Sequence, residues 1–301
     1  MKVRRVKHPT KSIIQDFDYL NNISLFIDTD NNVFFNYILV NIEIDFEWPL
    51  VRILDSRRFI IVEGGSRTHY SNYTAWIFNS SGKIKQELNI GYPIDICITK
   101  GRIITTYSEC SLGTDRIFAT EKWKNDKANN YQQPLSSEGL CVFDLNGNCI
   151  YRYMSDAKSE DFIFICQINS IYVDSKNEVY LLAMLMSDGF TILKLNQLDF
   201  KLTIELNIEN LIRPEYYPRA ITKRNENWYT ISTNEYELEE IRNSKMNIEE
   251  ARSYISQIDD NSQVKELGDC CFSFRPRGIS NGVYIVPYRQ GNKNESQYIQ
   301  I

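Results

Sequence analysis

WPLVRILDSRRFIIVEG (residues 48–64) is the stretch whose reading decides the fold. An aromatic-proline start leads into an apolar run, a polar turn at Asp55-Ser56-Arg57 and a second run rich in β-branched and aromatic residues, which together read as a β-hairpin. The same order returns in YPIDICITKGRIITTYS (92–108), YPRAITKRNENWYTIST (217–233) and RPRGISNGVYIVPYR (275–289). Pro49, Pro93, Pro218 and Pro276 thus occupy equivalent positions at strand starts, where a residue without an N–H is tolerated. ISLFIDTDNNVFFNYI (23–38) and INSIYVDSKNEVYLLAM (168–184) match each other without the proline, Asp28 aligning with Asp174 and Val33 with Val179. The expectation is six first hairpins of one repeated unit.

A second hairpin follows several of these. AWIFNSSGKIKQELNI (75–90) and LCVFDLNGNCIYRYM (140–154) share an apolar strand, Phe-Asn or Phe-Asp, and a glycine turn. TILKLNQLDFKLTIEL (191–206) and YISQIDDNSQVKEL (254–267) are weaker versions. Each unit is then four antiparallel strands, and four-stranded units in series are the signature of a β-propeller. The expected fold is all-β: one propeller domain over residues 1–301, six blades with five or seven still open, and one short helical insertion near 235–257. A β-helix would need shorter repeats, and two sandwiches would not explain the recurring prolines. QYIQI (297–301) reads as a third strand, with KVRRV (2–6) expected beside it to close the ring.

Of the 301 residues 43% are hydrophobic, and 19 Tyr, 15 Phe and 4 Trp stand beside only 13 Gly and 8 Pro, a balance that favours strands over a helical bundle. Thirty-four basic against 39 acidic residues give a net charge of −5, yet residues 1–11 carry five bases and no acid, so the body is more acidic than the total suggests. Such a surface repels phosphate and attracts basic proteins, so the expected partner is a basic protein, with no nucleic acid and no membrane bound directly. No apolar run approaches the ~18 residues of a membrane span. The cysteines (97, 110, 141, 149, 166, 270 and 271) form no CxxC pair, which reads as reduced core thiols in a cytoplasmic monomer. A two-residue Asn146-Gly147 loop would place Cys141 opposite Arg152 and Cys149 opposite Asp144, against a disulfide across that hairpin.

Long spacings between units mark insertions at 108–139 and 234–257. In the second, Tyr236, Leu238, Ile241, Met246, Ile248, Ala251 and Ile255 recur at helical spacing, while Glu235, Glu237, Glu239, Glu240, Glu249 and Glu250 make an acidic face. That face is the expected partner-binding surface, or else a solvated face packed on the scaffold. The residues around the repeated prolines, Trp48, Arg52, Tyr92, Asp95, Tyr217, Arg219 and Arg277, would line the mouth of an axial channel. There the arginines would hold a carboxylate or phosphate, or be paired by neighbouring acids as structural glue. With only His8 and His69, no nucleophile elbow, no HExxH and no phosphate or dinucleotide loop, neither catalysis nor a cofactor or metal is expected. Asp28, Asp144 and Asp174 are turn formers before they are acids.

The repeated units resemble the β-propeller superfamily over nearly the whole chain, although no blade carries a WD dipeptide, a kelch double glycine or an NHL-type motif. The acidic body and Asn/Ile/Lys/Tyr-rich composition also resemble immunity proteins of bacterial contact-dependent or polymorphic toxin systems. That likeness implies steric and electrostatic blocking of a basic toxin nuclease. The rival expectation is a small-ligand or sugar-binding, or lactonase-like, propeller that works through the axial mouth.

Overall fold

The computed structural model of the chain describes residues 2–64, 73–107, 135–243, 252–259, 261–271, 276–279, 282–285 and 295–300. These residues form six four-stranded antiparallel sheets. One of them joins β1 (Lys2–Lys7) to the last strands of the chain, and the other five each use four consecutive strands. The chain falls into two compact units, residues 14–162 and residues 1–13 with 163–301.

The first unit holds three sheets in chain order. They are β2 (Ile14–Leu20), β3 (Ile23–Asp28), β4 (Val33–Phe35) and β5 (Ile38–Val40); then β6 (Pro49–Asp55), β7 (Arg58–Glu63), β8 (Ala75–Asn79) and β9 (Ile84–Leu88); then β10 (Asp95–Thr99), β11 (Arg102–Thr106), β12 (Leu140–Asp144) and β13 (Cys149–Arg152). Within it β2 lies beside β6, and β6 beside β10. Strands β6, β7 and β8 of the second sheet are buried on both faces, and β7 shows why its sequence is a continuous apolar run. Phe59 and Ile61 pack with Leu25, Phe35 and Phe78 on one side, while Ile60 and Val62 pack with Ile96, Ile103 and Phe143 on the other. Phe59 stacks on its cross-strand partner Phe78 and on Phe35, both at 5.3 Å between ring centroids.

The second unit contains β14 (Ile165–Val173), β15 (Val179–Leu185), β16 (Gly189–Leu195) and β17 (Leu202–Asn207), followed by β18 (Tyr216–Arg224), β19 (Asn227–Asn234), β20 (Arg252–Ile258) and β21 (Val264–Cys271). Its third sheet runs β22 (Arg277–Ile279), β23 (Gly282–Ile285), β24 (Glu295–Gln300) and β1, with Lys2 opposite Gln300 and Lys7 opposite Glu295. The first strands β14, β18 and β22 again lie together. At Gly278 a Cβ would stand 1.7 Å from the Ile221 carbonyl oxygen, so only glycine lets β22 approach β18 this closely. Consecutive four-stranded sheets gathered by their first strands are the β-propeller arrangement.

The repeated prolines sit where the sequence pattern puts them: Pro49 opens β6, Pro93 precedes β10, Pro218 lies near the start of β18 beside a bulge, and Pro276 precedes β22. Five hairpins share one turn chemistry. At Asp28, Asn79, Asp144, Asp174 and Asp259 the side-chain oxygen accepts the N–H groups two and four residues later. The residue three positions on takes positive φ, as Asn31, Gly82, Gly147, Asn177 and Ser262 do.

Three expectations are corrected. ISLFIDTDNNVFFNYI is not a first hairpin: it forms β3 and β4, the middle of its sheet, and the first strand is β2, whose Asp16 and Asp18 are buried. The helical insertion near 235–257 is shorter than its pattern: Glu235–Arg242 is helical, but Arg252–Ile258 is the strand β20, whose Ser253 and Tyr254 pair with Thr233 and Ser232. Cys149 stands opposite Phe143 rather than Asp144, because the five-residue Asp144–Asn148 turn replaces a two-residue loop and β13 carries a bulge. Most of the 108–139 insertion, residues 108–134, lies outside the described residues.

His8, which follows β1, generates a pH dependence. Burial disfavours its charged form and holds its pKa down to about 4. The unfolded chain therefore binds a proton that the folded one does not between about pH 6.5 and 4, and the stability associated with neutral His8 is lost as pH falls through that window. Thermal unfolding at pH 7 and at pH 4.5 is expected to show a smaller acid loss for His8→Asn than for the native chain, by no more than about 3 kcal/mol. Equal losses would contradict the assignment.

Candidate functional site

Two of the proline-start residues form a built electrostatic cluster in the first unit. Arg52 on β6 is only 2% exposed. Its guanidinium donates to Asp16 Oδ2 of β2 at 2.8 Å, to Asp95 Oδ1 at the start of β10 at 2.5 Å, and to the carbonyls of Ile96 and Val51, both at 2.7 Å. Burial works against its charge, but Asp16, Asp95 and Asp18 outweigh that and raise its pKa. The acids are engaged a second time, since Asp16 Oδ2 accepts the Val51 N–H at 2.8 Å and Asp18 Oδ2 the Ile53 N–H at 2.7 Å. Arg52 and Asp95 therefore stitch three first strands together. Tyr92 is buried, and Trp48 is more than half exposed, with its backbone N–H held by the buried Glu63 carboxylate at 2.7 Å.

The second unit has a different composition at the equivalent strand starts. Arg219 on β18 lies with its guanidinium carbon 4.3 Å from the Tyr217 ring centroid and donates through Nε to Thr233 Oγ1 at 3.2 Å. The Tyr217 hydroxyl donates at 3.3 and 3.4 Å to Asn169 and Gln167, whose side chains the sequence reading did not single out. Asn169 is fixed by its own bond to the Pro218 carbonyl, and Phe190 meets the Tyr217 ring edge to face at 4.9 Å. Arg277 is half-buried at the start of β22, with its backbone opposite Tyr284. The result is a mixed aromatic, amide and guanidinium cluster that presents both stacking faces and hydrogen-bonding groups.

On the acidic insertion, α2 (Glu235–Arg242) leaves β19 directly. (The shorter α1 is Tyr153–Asp156.) Asn234 caps α2 by accepting the N–H groups of Tyr236 and Glu237 at 2.9 and 3.4 Å. The six acids expected to share one face separate by role. Glu237 turns back onto β20, accepting the Tyr254 hydroxyl at 2.6 Å and the Arg252 N–H at 3.0 Å. Glu239 and Glu240 are exposed; only the backbone of Glu235 is described, and Glu249 and Glu250 lie outside the described residues. Tyr254 stacks on Tyr216 at 4.6 Å, and burial together with Glu237 raises its pKa.

One buried acid left no sequence signal. Glu138, fully buried, accepts from the Ser155 N–H at 2.9 Å and its hydroxyl at 2.6 Å, with the Arg152 guanidinium at 3.6 Å, and so holds α1 against the segment that ends the first insertion. Among the described residues no group of three or more His, Cys, Asp or Glu is placed to hold a metal, and no helix is long and apolar enough to cross a membrane.

No protein-family model matches the chain, and no curated protein does. Among solved structures it is similar to a structural-genomics protein of unknown function from Bacteroides thetaiotaomicron VPI-5482, with a TM-score of 0.50 and 9% identity over 98% of this chain and 70% of that one. It is also similar to the computationally designed Ika8 protein, with a TM-score of 0.43 and 12% identity over 91% of this chain and 68% of that one. An ancestral GH74 enzyme gives a TM-score of 0.49 and 11% identity over 96% of this chain and 37% of that one. The first of these is a likeness of fold over nearly the whole chain and carries no activity with it.

The division of labour on α2 is measurable. Glu237→Ala removes the acceptor of the Tyr254 hydroxyl and the Arg252 N–H and is expected to lower stability by about 2 kcal/mol. Glu239→Ala is expected to stay within about 0.5 kcal/mol of the native chain. Urea unfolding of both variants checks this, and equal losses would remove Glu237 from its anchoring position.

Proposed function

We propose that this chain is a non-catalytic binding protein whose propeller scaffold presents an acidic insertion to a basic protein. The observation that carries the reading is the contrast between satisfied and presented charge. On the scaffold, Arg52 is neutralised by Asp16 and Asp95 in the buried interior. On α2, Glu237 fixes the helix to β20, and Glu239 and Glu240 are exposed to solvent. A net charge of −5 adds a long-range field that speeds encounter with a cation-rich surface. In its finer form the partner is the nuclease domain of a toxin, with this chain acting as the cytoplasmic immunity protein that covers a basic cleft.

A second reading has its own observation, the Tyr217, Arg219, Gln167 and Asn169 cluster. An aromatic ring beside amides and a guanidinium suits a sugar acid or another small carboxylate.

One comparison separates the two. Basic proteins captured from native cells by the wild-type chain are identified, purified and tested against Glu239→Lys/Glu240→Lys and against Arg219→Ala. The principal reading expects the double charge reversal to slow association about tenfold or more, with a steep salt dependence in the wild type, and expects Arg219→Ala to bind normally. Unchanged association of the double variant overturns it. A sugar-acid panel bound by the wild type and lost with Arg219→Ala would favour the second reading.

A further inference from the structure

The β12–β13 hairpin brings together two thiols that a two-residue loop would have kept apart. Cys141 lies opposite Arg152 and Val142 opposite Tyr151, but the ladder then shifts so that Phe143 faces Cys149 and Ile150 is left over as a bulge. Cys141 and Phe143, two residues apart, share one face of β12, and both belong to the buried cluster of this unit. Cys149, directly across from Phe143, packs against the same cluster from a partly exposed position. The two thiols are near enough to shift each other's ionisation. Cys141 Sγ also lies 3.9 Å from the Leu135 carbonyl oxygen, and Cys149 Sγ 3.5 Å from that of Tyr151.

The surroundings make the pair unequal. Cys141 is fully buried, so a dissolved oxidant meets Cys149 first. The adjacent Cys141 thiol and the neighbouring Arg152 guanidinium bring the Cys149 thiol down to about 7, while Cys149 and burial push Cys141 well above the ordinary thiol range. Diagonal neighbours across a ladder stand about 7–8 Å apart at Cα, beyond the roughly 4.4–6.8 Å that a disulfide spans, so a bridge requires the backbone of β13 to move. The extra residue Ile150 gives β13 the slack to close that gap.

We propose that Cys149 and Cys141 form a peroxide-oxidisable dithiol, in which Cys149 reacts first and Cys141 resolves it into a disulfide across the hairpin. The Cys149 thiolate sulfur attacks one oxygen of hydrogen peroxide; an S–O bond forms, the O–O bond breaks, and the departing hydroxide takes up a proton as water. The Cys141 sulfur then loses its proton and attacks the Cys149 sulfenic acid, so that an S–S bond forms, the S–O bond breaks and a second water leaves. Two thiols are oxidised by two electrons in all, and one peroxide is reduced to two waters. Cys97, buried in the same unit but outside that cluster, is expected to stay reduced.

Reduced full-length protein treated with one equivalent of hydrogen peroxide tests this by peptide mapping without reductant. The expected result is that the peptide carrying Cys141 and Cys149 becomes about 2 Da lighter. Cys141→Ser is expected to accumulate a dimedone-reactive sulfenic acid at Cys149, and Cys149→Ser to leave Cys141 unoxidised. At neutral pH iodoacetamide is expected to label Cys149 about tenfold faster than Cys166, which is also partly exposed. Pairing of Cys149 with any other cysteine, or labelling of Cys149 no faster than Cys166, overturns the proposal. If Cys141→Ser does not fold, the wild-type mass map decides alone.

Discussion

A buried arginine organises the first strands of residues 14–162. Three strands from successive sheets must lie side by side there, and their backbones and polar side chains leave water together. Arg52 answers that constraint by reaching Asp16 on one neighbour, Asp95 on the other and two backbone carbonyls, while Asp16 and Asp18 hold the N–H groups of Val51 and Ile53. Removing either partner of such a pair strands a desolvated charge, at a cost of about 3–5 kcal/mol. The apolar sheets then stack outward, with β7 supplying alternate side chains to the cores on either side.

The second unit meets the same constraint with different chemistry. Where β6 has Arg52 between two acids, β18 has Arg219 against an aromatic ring and a threonine, and β14 supplies amides in place of acids. Acids meet the guanidinium in one set of first strands, and an aromatic ring and a hydroxyl meet it in the other. The exposed acids of α2 stand on the same unit, anchored by Glu237 to β20.

Much of this was legible in the residues. The x-Pro starts located β6, β10, β18 and β22, and Asp28, Asp144 and Asp174 announced turns that the structure builds from their side-chain oxygens. The first strand of the β2–β5 sheet was misread for a physical reason. Asp16 and Asp18 interrupt the apolar pattern of IQDFDYL, and only the distant Arg52 and the amides of β6 make those acids burial-competent. The helix pattern ran on past Arg242 because Ala251 and Ile255 keep helical spacing, although Ile255 belongs to a strand buried against β19. Gln167, Asn169 and Glu138 gave no signal, since single polar residues acquire meaning only from partners 14 to 50 positions away. The dithiol was hidden by a one-residue change in turn length, which moved Cys149 to the other face of β13.

The most direct test of this account is a double-mutant cycle on the buried cluster. Urea unfolding of Arg52→Met, Asp16→Asn and the double variant is expected to give a coupling of about 1.5–3 kcal/mol, the double variant being less destabilised than the sum of the single ones. Effects that add to within about 0.5 kcal/mol would mean that Arg52 and Asp16 do not hold these strands through each other.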